Sequence, residues 1–197
     1  MYTKRPRPRG RVRGPAWALV CSALLLGCAE SPVDPDTDPS WIPLVLPEAW
    51  QPAPAGADPM AHHADADAIV CGEQDWHAEL DGLEIETTRC NYASLQQPLL
   101  ADLEQGAALH VRVWWQTLVS PEPVVGHLAL FVGDRLVWEE HVPIPGPAGV
   151  REVEFASPVS AAAGTTVTFH LHNHGSNTWN LNEVALRAPA ATEQPEE

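Results

Sequence analysis

Apolar and polar residues alternate along residues 165–173, near the C-terminal end of the chain. The apolar positions are Val167, Phe169 and Leu171, and the polar positions between and after them are Thr168, His170 and His172. A strict period of two predicts a β-strand with one buried face. Residues 173–177, which are Asn, His, Gly, Ser and Asn, then predict a polar corner, and residues 180–187 predict a second strand.

Similar short runs recur through most of the chain. Strands are predicted over residues 69–72, 83–90, 107–119, 126–133, 135–142, 150–156, 165–173 and 180–187. Gly133 and Asp134 separate two of these runs and suit a tight hairpin turn. Leucines within residues 93–103 predict one or two helical turns, limited by Pro98. Eight short strands with turn residues between them predict an all-β fold, a single antiparallel β-sandwich over residues 69–188.

The N-terminal segment is predicted to be a targeting signal and not part of the fold. Six basic residues precede a short apolar stretch, residues 16–26, which is too short to span a bilayer. The stretch ends in Leu25-Leu26-Gly27-Cys28, which resembles the lipobox of bacterial lipoproteins. The resemblance implies that residues 1–27 are removed and that Cys28 is lipidated. Ala29 stands where an Asp would resemble an inner-membrane retention signal, so we expect anchoring in the outer membrane, on its periplasmic or its outer side.

Removal of the signal leaves a strongly acidic chain. All 26 acidic residues but only five of the eleven Lys and Arg residues follow Cys28, so the net charge changes from −15 to −21. Such a charge repels phosphate backbones and anionic lipid head groups. Nucleic acid is therefore excluded as a partner, and attachment to the membrane is left to the lipid.

Residues 28–68 are predicted to be a tether between the lipid and the domain. Eight prolines and several acidic residues in this range disfavour regular structure and extend a linker. Residues 41–50, which begin and end with Trp41 and Trp50, are too apolar for a spacer. They are expected either to pack back onto the domain or to dock a protein partner or the membrane interface. Residues 189–197 are predicted to be an acidic disordered tail.

Two cysteines remain once Cys21 is assigned to the signal and Cys28 to the lipid. A lipoprotein signal implies an oxidising compartment, where a lone pair of cysteines forms a disulfide. Cys71 and Cys90 are therefore expected to be bonded to each other.

The order of features in the second half of the chain resembles galactose-binding-like jelly rolls, a fold shared by many carbohydrate-binding modules. The resemblance rests on an early core strand after a Gly turn, a central hairpin, an approach from Pro through Gly into a strand, and a closing strand. These features correspond to residues 107–115, 128–138, 158–171 and 179–186. The resemblance implies a sandwich of the jelly-roll type and a carbohydrate ligand.

The outward faces of two predicted strands carry the residue types that bind sugars. An aromatic ring covers the apolar face of a sugar, and fixed polar side chains bond to its hydroxyls. We therefore hypothesise a glycan site that draws on both strands and on the polar corner. Its residues are Arg112, Trp114, His170, His172, Asn177 and Trp179. The pairing requires that the two strands share a sheet.

Two other interpretations of these residues remain open. In the first they are structural: Trp114 or Trp115 fills the core, Trp179 is a hydrophobic plug that closes the sandwich, and the corner satisfies its own backbone groups. In the second they bind a metal, because His170, His172 and His174 are spaced by two and imidazoles in such an arrangement ligate Zn or Cu. Ca is a further candidate, and no other cofactor is expected.

The sequence shows no catalytic signature such as a Gly-x-Ser-x-Gly elbow or a phosphate-binding loop. It favours a lipid-anchored envelope lipoprotein with a non-catalytic binding domain, for which carbohydrate is the preferred ligand. One alternative is a structural or assembly lipoprotein that binds a protein partner through residues 41–50. The other is a metal-dependent enzyme that uses His170, His172 and His174.

Overall fold

The computed structural model describes residues 40–64 and 67–188. This part of the chain is built from eleven strands and two single-turn 3-10 helices, Pro47–Ala49 and Ala61–His63. The strands are β1 (Trp41–Pro43), β2 (Gln51–Pro52), β3 (Trp76–Glu79), β4 (Gly82–Glu86), β5 (Tyr92–Pro98), β6 (Ala108–Trp115), β7 (Val124–Val132), β8 (Arg135–Ile144), β9 (Gly149–Ala156), β10 (Thr166–His172) and β11 (Thr178–Arg187). Neither helix is long and apolar enough to cross a membrane. The predicted signal, Cys28 and the predicted tail lie outside the described residues.

The strands form two antiparallel sheets. Sheet A has the order β3-β4-β11-β6-β9, with β1 paired to the C-terminal end of β11. Sheet B has the order β2-β5-β10-β7-β8. From β4 to β11, every connection between consecutive strands crosses from one sheet to the other, except the β7–β8 hairpin. This gives the strand orders 4-11-6-9 and 5-10-7-8 of a jelly roll. The predicted all-β sandwich of jelly-roll type is confirmed.

The core lies between the two sheets, and the alternation of apolar and polar residues explains which side chains form it. On β10, the apolar residues Val167, Phe169 and Leu171 are at most 1% exposed and face sheet A. On β6, Leu109, Val111 and Val113 are buried in the same way and face sheet B. Since successive residues point to opposite faces, the polar residues between them lie on the two outer faces of the sandwich.

A β-bulge changes which residues of β11 face the core. The register against β6 shifts between Leu181 and Glu183, so that Asn182 is the extra residue. Leu181 and Val184 are consequently both buried, although three positions separate them and a regular strand would turn one outward. The bulge thereby places Glu183 on the outer face of sheet A.

Two of the predicted elements differ from the structure. Residues 93–103 contain strand β5 instead of helical turns, because Ala93, Leu95 and Gln97 are buried with the period of two that a strand requires. The predicted strand over residues 69–72 is reduced to a single bridge between Val70 and Tyr92. The hairpin turn at Gly133 is confirmed, and its φ of 61° is a conformation that glycine adopts without strain.

The apolar segment from Trp41 to Trp50 packs back onto the domain. Strand β1 pairs with β11 in sheet A, and β2 pairs with β5 in sheet B, so this segment reaches both sheets. Leu44 and Trp50 are 1% exposed, and the Trp50 ring lies 6.3 Å from that of Phe169. The sandwich therefore begins before Ile69, and this part of the predicted tether belongs to the fold. The two buried side chains are not available to a partner.

The next residues, 53–64, cover part of the outer face of sheet B, and we call them the covering segment. The backbone N–H of Ala53 donates to Ser94, and the Tyr92 hydroxyl donates to the Asp58 carboxylate. Burial and this carboxylate raise the pKa of Tyr92. Met60 packs against two outward-facing side chains of β7, Ala129 and Phe131. Side chains beneath the covering segment are shielded from solvent even though they face away from the core.

The disulfide between Cys71 and Cys90 is present, as predicted, and closes the segment that contains β3 and β4. Beside it, the Asp75 carboxylate accepts hydrogen bonds from the Gly72 backbone and from the Arg89 guanidinium. The Gly72 N–H and the Arg89 side chain hold the pKa of Asp75 below its usual value. This loop is therefore fixed by a covalent bond and by a buried, fully paired carboxylate.

We expect replacement of both cysteines by Ala to lower the free energy of unfolding by about 3 kcal/mol, because the disulfide restricts the unfolded chain over a separation of 19 residues. Urea denaturation of the oxidised protein and of the double variant measures the difference. A reductant should reproduce the loss in the parent and leave the double variant unchanged. Equal stability of the oxidised parent and the double variant would contradict the prediction.

Candidate functional site

The two polar strand faces proposed to form one glycan site lie on opposite sides of the sandwich. Arg112 and Trp114 are on β6 in sheet A, whereas His170 and His172 are on β10 in sheet B. Each pair points outward from its own sheet, so the core separates them. The composite site predicted from the sequence is therefore wrong, because its premise that the two strands share a sheet does not hold.

The polar corner between β10 and β11 is an internal structural element. The Asn177 amide donates to Asn173 Oδ1 and to the backbone oxygens of Val119 and His174, while its Oδ1 accepts from the Val119 N–H at 2.6 Å. The Asn173 amide donates to Thr87 Oγ1 at 2.7 Å. Asn177 is 4% exposed, so its predicted role in ligand binding is wrong: its hydrogen-bonding groups are used inside the protein.

Trp179 is likewise a core residue. Its side chain is 1% exposed, and its indole N–H donates to Asn173 Oδ1 at 3.1 Å. Its ring lies 5.7 Å from that of Trp115, another core tryptophan. Trp179 therefore cannot serve as a sugar platform, and the structural interpretation holds for this residue and for the corner.

The histidines of β10 differ in their environment. His170 is fully buried on the outer face of sheet B, where its ring lies 5.0 Å from that of Tyr92 and 5.5 Å from that of His127. His172 is half-buried, and its ring lies 4.7 Å from that of His174 beyond the end of the strand. His170 cannot reach a glycan in this arrangement. A metal on His170, His172 and His174 stays a prediction.

The outer face of sheet A carries an aromatic residue with polar neighbours. Trp114 is half-buried and pairs with Val150 of β9 on one side and with Asn180 of β11 on the other. Asn180 in turn pairs with Glu84 of β4, and Glu84 with His77 of β3. One row therefore crosses five strands, and we call it the Trp114 row.

A second row on the same face is dominated by charge. Arg112 lies between Glu152 of β9 and Glu183 at the bulge of β11. The Arg112 Nε atom is 3.9 Å from a Glu152 carboxylate oxygen, and both side chains are about half-exposed. The guanidinium thus lies on the surface beside the Trp114 row.

His110, at the far end of this face, is held by contacts on several sides. Its Nε2 lies 3.2 Å from Glu152 and its Nδ1 lies 3.2 Å from Glu183, and its ring stacks on Trp41 with centroids 5.0 Å apart. The Arg187 guanidinium covers the Trp41 ring at 5.3 Å. These contacts hold the two glutamates on either side of Arg112 and leave Trp114 as the accessible aromatic ring of strand β6.

Burial and the neighbouring Glu79 carboxylate raise the pKa of Glu84. The Glu84 side chain is 12% exposed, and His77 Nε2 lies 3.8 Å from it. A groove lies at the other end of the row, lined by Trp114, Gln116, Thr117 and the loop before β9. The row therefore runs from a polar, partly buried carboxylate to an open groove beside an indole.

Sequence reasoning found Trp114 and Arg112 but missed their partners on this face, Asn180, Glu84 and His77. No signal in the sequence identifies them, because strand neighbours in a jelly roll are distant in the chain. Residue 180 follows residue 84 by almost one hundred positions. The pairing of β11 between β4 and β6 is what brings them beside Trp114.

Comparison with known proteins identifies no family for this chain. No protein-family model matches it, and no curated protein matches it. Solved structures with a similar chain course include the K3 adhesin domain of Lys-gingipain from Porphyromonas gingivalis W83, at 10% identity and a TM-score of 0.41 over 75% of this chain and 98% of that one.

Two further structures are similar over a smaller part. The arabinose-bound α-L-arabinofuranosidase MgGH51 has 11% identity and a TM-score of 0.38 over 58% of this chain, which spans only 20% of the enzyme. A structure of CBM4 has 10% identity and a TM-score of 0.37 over 57% of this chain and 74% of that one. At these identities and TM-scores the likenesses say nothing about what the chain binds.

We expect Asn177→Ala to destabilise the protein by about 1–3 kcal/mol, because it leaves buried partners of the corner without hydrogen bonds. Thermal or urea unfolding measures this change. The matched control is Gln116→Ala, an exposed amide on a neighbouring connection, which should change stability by less than about 0.5 kcal/mol. Equal effects of the two substitutions would show that the corner is not the structural element described here.

Proposed function

We propose that this chain is a lipid-anchored envelope lipoprotein whose sandwich binds carbohydrate without catalysis, through the Trp114 row on the outer face of sheet A. The observation that carries the proposal is the half-buried indole of Trp114 on the outer face, in register with polar side chains from three further strands. The ring supplies the apolar platform that a sugar face requires. The exposed imidazole of His77 and the partly buried carboxylate of Glu84 supply directional partners for hydroxyl groups, whereas Asn180, at 3% exposure, is buried within the row.

The shape of this face suits a chain of sugars better than a small molecule. Five neighbouring strands span roughly 19 Å across the sheet, at ~4.8 Å per strand. The face is open and runs into the groove beside Gln116 and Thr117. An extended ligand could therefore contact Trp114 and the polar residues at the same time, whereas a small ligand would contact only one of them.

Charge selects among glycans. Five glutamates, residues 79, 84, 152, 154 and 183, lie on this face with the two guanidinium groups of Arg112 and Arg187. The chain without its predicted signal carries a net charge of −21. Acidic polysaccharides would be repelled by both the local and the overall charge. We therefore propose neutral glycans as the ligand class.

The anchor is proposed from the N-terminal sequence. Cys28 follows a basic segment and an apolar stretch, and acyl chains attached to it would hold the domain at the outer membrane. The acidic, proline-rich residues between Cys28 and β1 would then act as a short spacer. The binding face would in this way be presented at the cell envelope.

We expect Trp114→Ala to weaken binding of a neutral polysaccharide by about tenfold or more, because the apolar platform is lost. The measurement is isothermal titration of residues 29–197, which retain both sheets, against glycans selected by affinity electrophoresis. Trp114→Phe should keep most of the affinity. Leu136→Ala is the matched control, since Leu136 is an apolar residue of sheet B with 41% exposure. Unchanged binding in Trp114→Ala would contradict this site.

We expect the full-length protein to incorporate labelled palmitate and to sediment with membranes when expressed in a Gram-negative host. Cys28→Ser should abolish labelling and release the protein into the soluble fraction, because no acyl chain can then be attached. Cys21→Ser is the control and should be labelled normally. Labelling that survives Cys28→Ser would contradict the proposed anchor.

A further inference from the structure

Strands β7 and β8 bring a compact set of metal-ligating side chains together on the outer face of sheet B. His127 and His141 are directly opposed in the antiparallel register, and Glu139 is opposed to Ala129 two residues further along β7. His127 Nε2 lies 3.2 Å from the Glu139 carboxylate. The two imidazole rings stack with centroids 4.3 Å apart, and one ligand atom from each of the three residues lies within 4.8 Å of the others.

The local packing favours this convergence. Ala129 has only a methyl group, so the Glu139 side chain opposite it can lean along the strand towards His127. The His127 side chain is 8% exposed and is packed against the His170 ring, which fixes its position. The side chains of Glu139 and His141 are more exposed, which leaves them free to adjust around an ion. One ligand is thus fixed and two are adaptable.

We propose that His127, Glu139 and His141 form a binding site for a divalent transition metal, Zn²⁺ or Cu²⁺. Two imidazole nitrogens and one carboxylate oxygen are a donor set that both ions accept. The overall negative charge of the chain raises the local concentration of cations. Three protein ligands leave a coordination position open on the solvent side. The site is separate from the Trp114 row, because the two lie on opposite faces of the sandwich.

Among the described residues, a second group with ligand atoms within 4.8 Å of one another lies on sheet A and consists of His77, Glu79 and Glu84. It has only one imidazole, and burial and the neighbouring Glu79 carboxylate raise the pKa of Glu84. Borderline metals prefer nitrogen ligands to a second carboxylate. The group on β7 and β8 is therefore the better metal site, because it has two histidines.

The test is isothermal titration of residues 29–197 with Zn²⁺ after chelator treatment, together with the electron paramagnetic resonance spectrum of the Cu²⁺-loaded protein. One Zn²⁺ per chain should bind, and the Cu²⁺ spectrum should show coupling to two imidazole nitrogens. His141→Ala and Glu139→Gln should each weaken Zn²⁺ binding by more than about tenfold. Both positions are exposed, so far-ultraviolet circular dichroism should report an unchanged fold.

The matched control is His77→Ala, which removes an exposed histidine from the group on sheet A and should leave Zn²⁺ affinity unchanged. A double variant, His172→Ala with His174→Ala, should also retain the site. The proposal is overturned if Zn²⁺ and Cu²⁺ do not bind, if His141→Ala binds as well as the parent, or if either control abolishes binding. Retained glycan binding by His141→Ala would show that the metal site and the Trp114 row are independent.

Discussion

The hydrogen-bond network at the polar corner is the constraint on which the sandwich depends. Asn173 and Asn177 follow β10, Thr87 follows β4 and Val119 follows β6, so the network joins three of the connections that cross between the sheets. A jelly roll has few contacts along the chain to hold such connections in place, and these buried amides supply them. Gly175 makes the geometry possible: its φ is 94°, and a Cβ there would lie 2.0 Å from the Val119 carbonyl oxygen.

The same network explains why the polar corner does not offer its amides to a ligand. Its amides and hydroxyl groups bond to one another and to the backbone, and the Trp179 indole N–H is bonded there too. The residues that we propose to bind carbohydrate and metal lie instead on the two outer sheet faces, where alternation places polar side chains without disturbing the core. One face presents an indole among hydrogen-bonding groups, and the other presents paired imidazoles and a carboxylate.

Residues 41–64, which precede the predicted domain, contribute to both outer faces. Strand β1 brings Trp41 against His110 on sheet A, and the covering segment brings Met60 and Asp58 onto sheet B. A chain cut at Ile69 would lose these contacts and the buried Trp50. Residues whose proline content predicts a linker are therefore part of the domain. Proline disfavours a helix, but it permits short edge strands and an extended backbone that packs on the sheets.

Alternation by itself determined the sandwich class and the inward faces of β6 and β10. Turn residues predicted the hairpin at Gly133, and the count of cysteines predicted the Cys71–Cys90 bond. These features depend on local periodicity or on simple arithmetic of residue types. Only the tertiary structure decided that β6 and β10 belong to different sheets, which separates Trp114 from His170. It also decided that Asn180, Glu84 and His77 adjoin Trp114, and that His127 meets His141. The neighbours of Trp114 and His170 are set by connections that cross between the sheets, and such connections leave no periodic signal in the residues they join. His127 and His141 instead face each other across the β7–β8 hairpin, where the register shift between Leu130 and Phe131, which alternation does not encode, sets the pairing.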